Sequence, residues 1–162
     1  MPCVRGGHTT VAADGHFVMF GGHVYSASGT FEYFNDVYKL SMTTMRWKKV
    51  RVQGEIAPEP RYGHTATLID NRMFIFGGRG KDEQIFKDIW FLDLDTWTWK
   101  AVQSPSNPPP ERFMHSEVAV GTKIVYFGGV TQGQKTLDDL WVFDTERFHW
   151  IRPRTAGKPP VG

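Results

Sequence analysis

Arg61-Tyr62-Gly63-His64-Thr65-Ala66-Thr67-Leu68-Ile69-Asp70-Asn71-Arg72-Met73-Phe74-Ile75-Phe76-Gly77-Gly78 decides the fold. Residues 64–69 read as a strand rich in β-branched side chains, and Asp70-Asn71 is a two-residue turn of the kind that closes hairpins. Residues 72–76 form a second, nearly continuous apolar strand, which must be buried on both faces. The Gly77-Gly78 doublet ends it, where a crowded strand end needs left-handed backbone and close approach of a neighbour. Further on, residues 88–93 predict a third strand, Asp95-Thr96 a turn and residues 97–102 a fourth strand, followed by a loop at 104–110 with four prolines. The expectation is a four-stranded antiparallel meander with no helical period.

The pattern occurs three times. Arg5, Arg61 and Arg112 each stand three residues before a histidine, His8, His64 and His115. Sixteen residues after each arginine a glycine doublet begins: Gly21-Gly22, Gly77-Gly78 and Gly128-Gly129. Eleven residues after Asp36, Asp88 and Asp139 stand Trp47, Trp99 and Trp150. The copies span 5–60, 61–111 and 112–162, and self-similarity at this period marks stacked blade-type units. Each tryptophan is expected to fill the space between adjoining sheets.

The arginine–histidine start, the apolar run into Gly-Gly, the aspartate-led aromatic strand and the late tryptophan resemble the Kelch repeat, in its subgroup of about 50 residues. The resemblance covers all three copies. Its departures are Met114, where the siblings have Gly7 and Gly63, and Gly6 beside Gly7. It implies an all-β fold of three four-stranded antiparallel blades, either an open half-propeller or part of a six- or seven-bladed β-propeller. The segment 157–162 resembles a spacer leading into another blade. Members of the subgroup include polarity scaffolds, small-GTPase effectors and substrate receptors of ubiquitin ligases. The expected function is thus a protein–protein interaction scaffold or adaptor. The alternatives are a non-catalytic propeller fragment of a phosphatase- or oxidase-type enzyme chain, or a self-assembling module in which a homodimer completes a six-bladed ring.

Composition agrees with a binding module. The formal charge is +2, from 19 basic and 17 acidic residues without a basic run, so no nucleic-acid partner is expected. No apolar stretch reaches membrane-helix length, and no membrane partner is expected. One cysteine, Cys3, suits a reducing compartment, and a cytoplasmic location is expected. No nucleophile motif or phosphate-binding glycine loop is present, so no enzyme activity, cofactor or metal is expected. The iron motif of nitrile-specifier-like Kelch proteins is also broken: Glu32 and Asp36 are spaced for it, but Leu40 stands where its histidine belongs. Cys3, near the N-terminus, is a poor candidate for the tyrosine–cysteine crosslink of copper-radical oxidases.

The repeated Arg, His, Asp, Gly and Trp positions are expected to serve the blade itself, with each arginine paired to an aspartate. The exception to the period is the segment between Gly22 and Asp36, four residues longer than its siblings and holding four aromatics. Loops on a rigid scaffold carry binding, and aromatics anchor interfaces. His23, Tyr25, Phe31, Tyr33 and Phe34 are therefore expected to hold a protein or peptide partner, with Arg79 and Lys81 nearby as electrostatic guides.

Overall fold

A computed structural model describes residues 1–157; residues 158–162, the end of the expected spacer and third copy, lie outside the described residues. The first copy forms β1 (Thr9–Ala13), β2 (His16–Phe20), β3 (His23–Tyr25), β4 (Phe31–Tyr33), β5 (Val37–Ser41) and β6 (Trp47–Lys49). The second forms β7 (Thr65–Ile69), β8 (Arg72–Phe76), β9 (Ile89–Asp93) and β10 (Thr98–Ala101). The third forms β11 (Ser116–Val120), β12 (Lys123–Phe127), β13 (Leu140–Asp144) and β14 (His149–Ile151). They assemble into three four-stranded antiparallel sheets, β1-β2-β5-β6, β7-β8-β9-β10 and β11-β12-β13-β14, plus the separate pair β3-β4. Helical geometry among the described residues is limited to single 3-10 turns at Lys81–Glu83 and Gln132–Gln134.

The first hairpin of each sheet closes as its turn residues require. Asp70 and Asn71 adopt φ of 48° and 57°, the left-handed pair that matches strand twist. The buried second strand is also as expected: Met73, Phe74, Ile75 and Phe76 are all at most 1% exposed.

The fourth strand is shorter than expected. Residues 97–102 do not form one strand: β10 begins at Thr98, and Trp97 closes the preceding turn at φ 55°. Met45 and Phe148, its counterparts, have φ of 53° and 52°. A left-handed residue ending a tight turn lies outside strand alternation. Trp97 and Trp99 therefore do not share a strand face.

The first strands β1, β7 and β11 run beside one another, and the sheets fan outward from them. Between the first and second sheets lies a core of Val11, Val18, Phe20 and Val37 against Met73, Ile75, Leu92, Leu94 and Trp99. Between the second and third, Ile69, Phe74, Phe76, Ile89 and Phe91 meet Ile124, Tyr126, Phe143 and Trp150. Polar contacts repeat at each seam. Gly22 N–H donates to Arg61 C=O at 2.8 Å and Gly78 N–H to Arg112 C=O at 2.9 Å. Thr9 Oγ1 lies 2.7 Å from His64 Nε2, and Thr65 Oγ1 lies 2.8 Å from His115 Nε2. The first glycine of the first two doublets permits this approach: a Cβ on Gly21, whose φ is 71°, would sit 2.8 Å from Arg61 C=O.

The two outer flanks are different. Trp47 is half-buried where Trp99 and Trp150 are fully buried. Val118 and Val120 on β11 are 57% and 61% exposed, although their counterparts Thr67 and Ile69 face the third sheet.

Candidate interaction surface

Each sheet is tied at one end by its arginine. Arg61 is fully buried; its Nη1 donates to Gly77 C=O at 3.0 Å and to Asp88 at 2.6 Å, and its Nε to Glu59 C=O at 3.0 Å. Arg112 makes the same contacts to Gly128 C=O, Asp139 and Pro110 C=O, and Arg5 reaches Gly21 C=O and Asp36. Burial pushes the Asp139 carboxyl up, but hydrogen bonds from Arg112 and Trp141 outweigh it and hold the group below its ordinary range. Phe86 lies flat under Arg61, 3.9 Å from ring centre to guanidinium carbon, and Phe34 under Arg5 at 4.0 Å. The geometry thus groups Phe34 with the arginine pairs and away from the exposed aromatics of its segment.

Beyond each doublet the chain makes the same short excursion on this end of the sheet. The residue after the doublet bridges the residue after the arginine: Gly6 with His23, Tyr62 with Arg79, Phe113 with Val130. It also bridges a residue further on: Arg79 with Ile85, Val130 with Thr136. In the first copy the equivalent rung, His23 opposite Tyr33, is followed by two more, Val24 opposite Glu32 and Tyr25 opposite Phe31. The four extra residues therefore build two further rungs of a regular hairpin, where an irregular loop was expected. Its tip is closed by Ser26 N–H to Thr30 C=O at 2.8 Å.

The hairpin carries aromatic side chains that continue across the neighbouring sheets. Tyr25 and Phe31 have ring centres 5.0 Å apart, and Phe31 lies 5.5 Å from His23. His23 packs 4.1 Å from Tyr62, which lies 6.1 Å from Phe113, with the Arg79 guanidinium 5.5 Å from the Phe113 ring centre. Tyr33 lies beside both His23 and Tyr62, at 6.2 and 5.9 Å. Tyr25 is 63% exposed and Phe31 54%. Gly63 N–H to Gly7 C=O at 2.9 Å and Met114 N–H to Gly63 C=O at 2.7 Å join the three sheets at this end.

Two clefts flank the strip. One, of about 380 Å³, lies between Phe31 and Tyr33 on one side and Glu59, Pro60, Lys81 and Phe86 on the other. The other, of about 240 Å³, is lined by Arg79, Glu83, Ile85, Phe113 and the 131–134 segment. Arg79 is paired with Glu83 at 3.0 Å. The structure thus brings His23, Tyr25, Phe31, Tyr33, Arg79 and Lys81 to one end of the molecule. Tyr62 and Phe113 join them unforeseen. They occupy one repeat position whose sibling is Gly6, and that variation at a fixed position was the available signal. Among the described residues no three His, Cys, Asp or Glu side chains converge as a metal site would require. No helix there is long and apolar enough to cross a membrane.

Residues 7–162 match the KLHDC2/KLHL20/DRC7 Kelch-repeats domain, and the chain belongs to the Kelch-repeat family. The solved structure of YjhT superposes with a TM-score of 0.80 at 21% identity, covering 96% of this chain and 53% of that one. The fold is therefore a segment of a Kelch-type β-propeller. Dynein regulatory complex subunit 7 of Chlamydomonas reinhardtii is 36% identical over 132 residues, covering 78% of this chain and 11% of that protein. Rho GTPase-activating protein gacHH of Dictyostelium discoideum is 32% identical, covering 91% of this chain and 10% of its own length. Host cell factor of Drosophila melanogaster is 25% identical, covering 99% of this chain and 12% of its own length. The chain spans only a small part of each of these relatives.

Proposed function

We propose that this chain is a protein-interaction module whose partner docks on the hairpin β3–β4 and the aromatic strip behind it. Tyr25, Phe31, Tyr33 and His23 anchor the partner, and Arg79 and Lys81 raise its association rate. The observation that carries this reading is that the first copy alone extends its hairpin by two rungs and exposes an aromatic pair there. Neither addition is needed by the arginine–aspartate pairs or the seams. The names of relatives, a dynein regulatory subunit and a Rho GTPase-activating protein among them, suit a module that works through other proteins.

The test is a Tyr25→Ala/Phe31→Ala double variant, compared with the parent for urea stability and for proteins captured from extract. The expected result is an unchanged melt and loss of at least one specific partner. A normal melt with every partner kept would move the binding surface elsewhere. The best alternative is the opposite end of the molecule, where a cleft of about 560 Å³ is lined by Asp70, Arg72, Phe91, Lys100 and Phe148.

A second reading concerns assembly, and the observation favouring it is the pair of outer flanks. Half-buried Trp47 and exposed Met42 on one side, and Val118 and Val120 on the other, occupy positions that are buried or turned toward a neighbour at internal seams. Two copies joined head to tail would close a six-sheet ring and cover both flanks. Sedimentation at micromolar concentration decides it: a dimer supports the reading, and a stable monomer without dye-binding apolar surface removes it.

A further inference from the structure

At one cross-strand position the three sheets differ in a way that packing does not require. Thr10 stands opposite Met19 in the first sheet and Ala66 opposite Ile75 in the second. In the third the pair is Glu117 opposite Tyr126. A small residue facing an apolar one has been replaced by a carboxyl facing a phenol, at a place turned inward to the seam. Both Glu117 carboxyl oxygens and the Tyr126 hydroxyl are buried and without a hydrogen-bond partner among the described residues. Buried polar groups are nearly always satisfied, so such a pair calls for a physical reason.

Among the described residues no charged group offsets the burial of the carboxyl. From β7 the hydroxyls of Thr67 and Thr65 face the carboxyl, without completing a bond of normal geometry. From β12 the facing group is Tyr126, and just before β11 the nearby titratable side chain is His115, whose ring lies 5.8 Å from that of Tyr126. His115 Nδ1 has no partner. A proton there would be an orphaned donor, so the favoured tautomer carries its proton on Nε2 and donates to Thr65 Oγ1. The Thr65 hydroxyl proton is then left to point toward Glu117. The first seam repeats the His64–Thr9 contact but has Ala66 where the carboxyl would stand.

We infer that the seam between the second and third sheets is a proton-operated latch, closed when Glu117 is neutral and loosened when it ionises. Burial pushes this carboxyl up to about 7, against the opposing pull of Thr67 and Thr65. A raised folded-state value means the closed seam holds the proton more tightly than the open one. The latch is fully favourable below the ordinary carboxylate range and weakens as pH rises through about 7. His115 does not interfere, since its burial lowers it to about 3.

Amide hydrogen exchange read by NMR on the whole chain tests the latch with an internal control. Gly78 N–H and Met114 N–H cross the second seam, whereas Gly22 N–H and Gly63 N–H make the same contacts across the first. Intrinsic exchange changes with pH alike at all four, so the ratio of second-seam to first-seam protection isolates the latch. That ratio is expected to fall by more than about tenfold between pH 5.5 and pH 8. It is expected to become independent of pH in Glu117→Gln. Glu117→Ala, which restores the sibling residue, gives the same flat ratio if the glutamine variant folds poorly. A ratio that does not change with pH in the parent, or a change that survives removal of the carboxyl, overturns the inference.

Discussion

Trp99 of the second sheet packs edge-on against Phe20 of the first, with ring centres 4.8 Å apart at 60°. Trp150 repeats the relation with Phe76 of the second sheet at 4.9 Å and 55°. The late tryptophan of each repeat is thus a wedge driven into the preceding sheet. Trp47 has no preceding sheet within this chain and is correspondingly half-buried.

Trp99→Ala should therefore cost about 3–5 kcal/mol, the range for deleting a buried large aromatic. Trp47→Ala in the same chain should cost less than half as much. Trp97→Ala should cost less than Trp99→Ala, because Trp97 closes a turn and packs only half-buried at the margin of the same seam, with Lys39 Nζ 5.1 Å from its ring centre. Urea melts of the three variants check the order. Equal losses at positions 47 and 99 would show that the wedge relation carries no stability.

The arginine–aspartate pairs make a graded prediction. Arg61 and Arg112 are both 0% exposed at the side chain, whereas Asp88 is 41% exposed and Asp139 13%. Removing either arginine leaves a glycine carbonyl without that donor and a carboxylate without its countercharge, held only by the indole of Trp90 or Trp141, and should cost about 3–5 kcal/mol. Lysine should not rescue it, since one ammonium cannot reproduce the fork that meets a backbone carbonyl and two carboxylate oxygens. Water can reach Asp88, so Asp88→Asn should be milder than Asp139→Asn. Chemical denaturation of the two asparagine variants reads this difference directly, and the reverse order would contradict it.

Much of this architecture was legible because the residues that fix it sit at constant spacing. Arg61, Gly77, Asp88 and Trp99 each have one task in the sheet or seam, and the repeat shows it three times. The hairpin was less legible: residues 23–35 deviate from the period, and nothing in a list of aromatics says that four extra residues add two paired rungs. Trp97 was misplaced because a left-handed turn residue leaves no mark in composition. Glu117 and Tyr126 were visible only as departures from Ala66 and Ile75, and their meaning depends on a cross-strand register that appears only in the fold.

Met114 tests the cost of departing from the repeat. It has φ 55°, like Gly7 at 65° and Gly63 at 64°, and its side chain is mostly exposed. Holding a side chain in that region costs about 1–2 kcal/mol, while glycine loses more freedom on folding. Met114→Gly should accordingly raise stability slightly, by up to about 1 kcal/mol. A clear loss in the melt would show that the Met114 side chain contributes contacts worth more than the strain.

Acid should unfold the chain through its buried histidines. Burial lowers His64 to about 3, helped by the positive charge of Arg61, and burial with Arg112 does the same to His115. Both stay neutral in the folded chain at pH values where the unfolded chain protonates them. The stability they contribute is full above their ordinary value near 6.5 and is lost as pH falls from there toward about 3. Glu117 acts in the opposite sense over part of this window, since its raised value makes folding more favourable as pH falls from about 7. Two histidines outweigh one carboxyl, so stability from urea melts should decline between pH 6.5 and pH 4. His64→Gln should flatten the decline, because glutamine keeps a side-chain donor for Thr9 but takes up no proton. Glu117→Gln should steepen it by removing the opposing contribution. If the parent were as stable at pH 4 as at pH 6.5, the two histidines would not be held neutral at the seams.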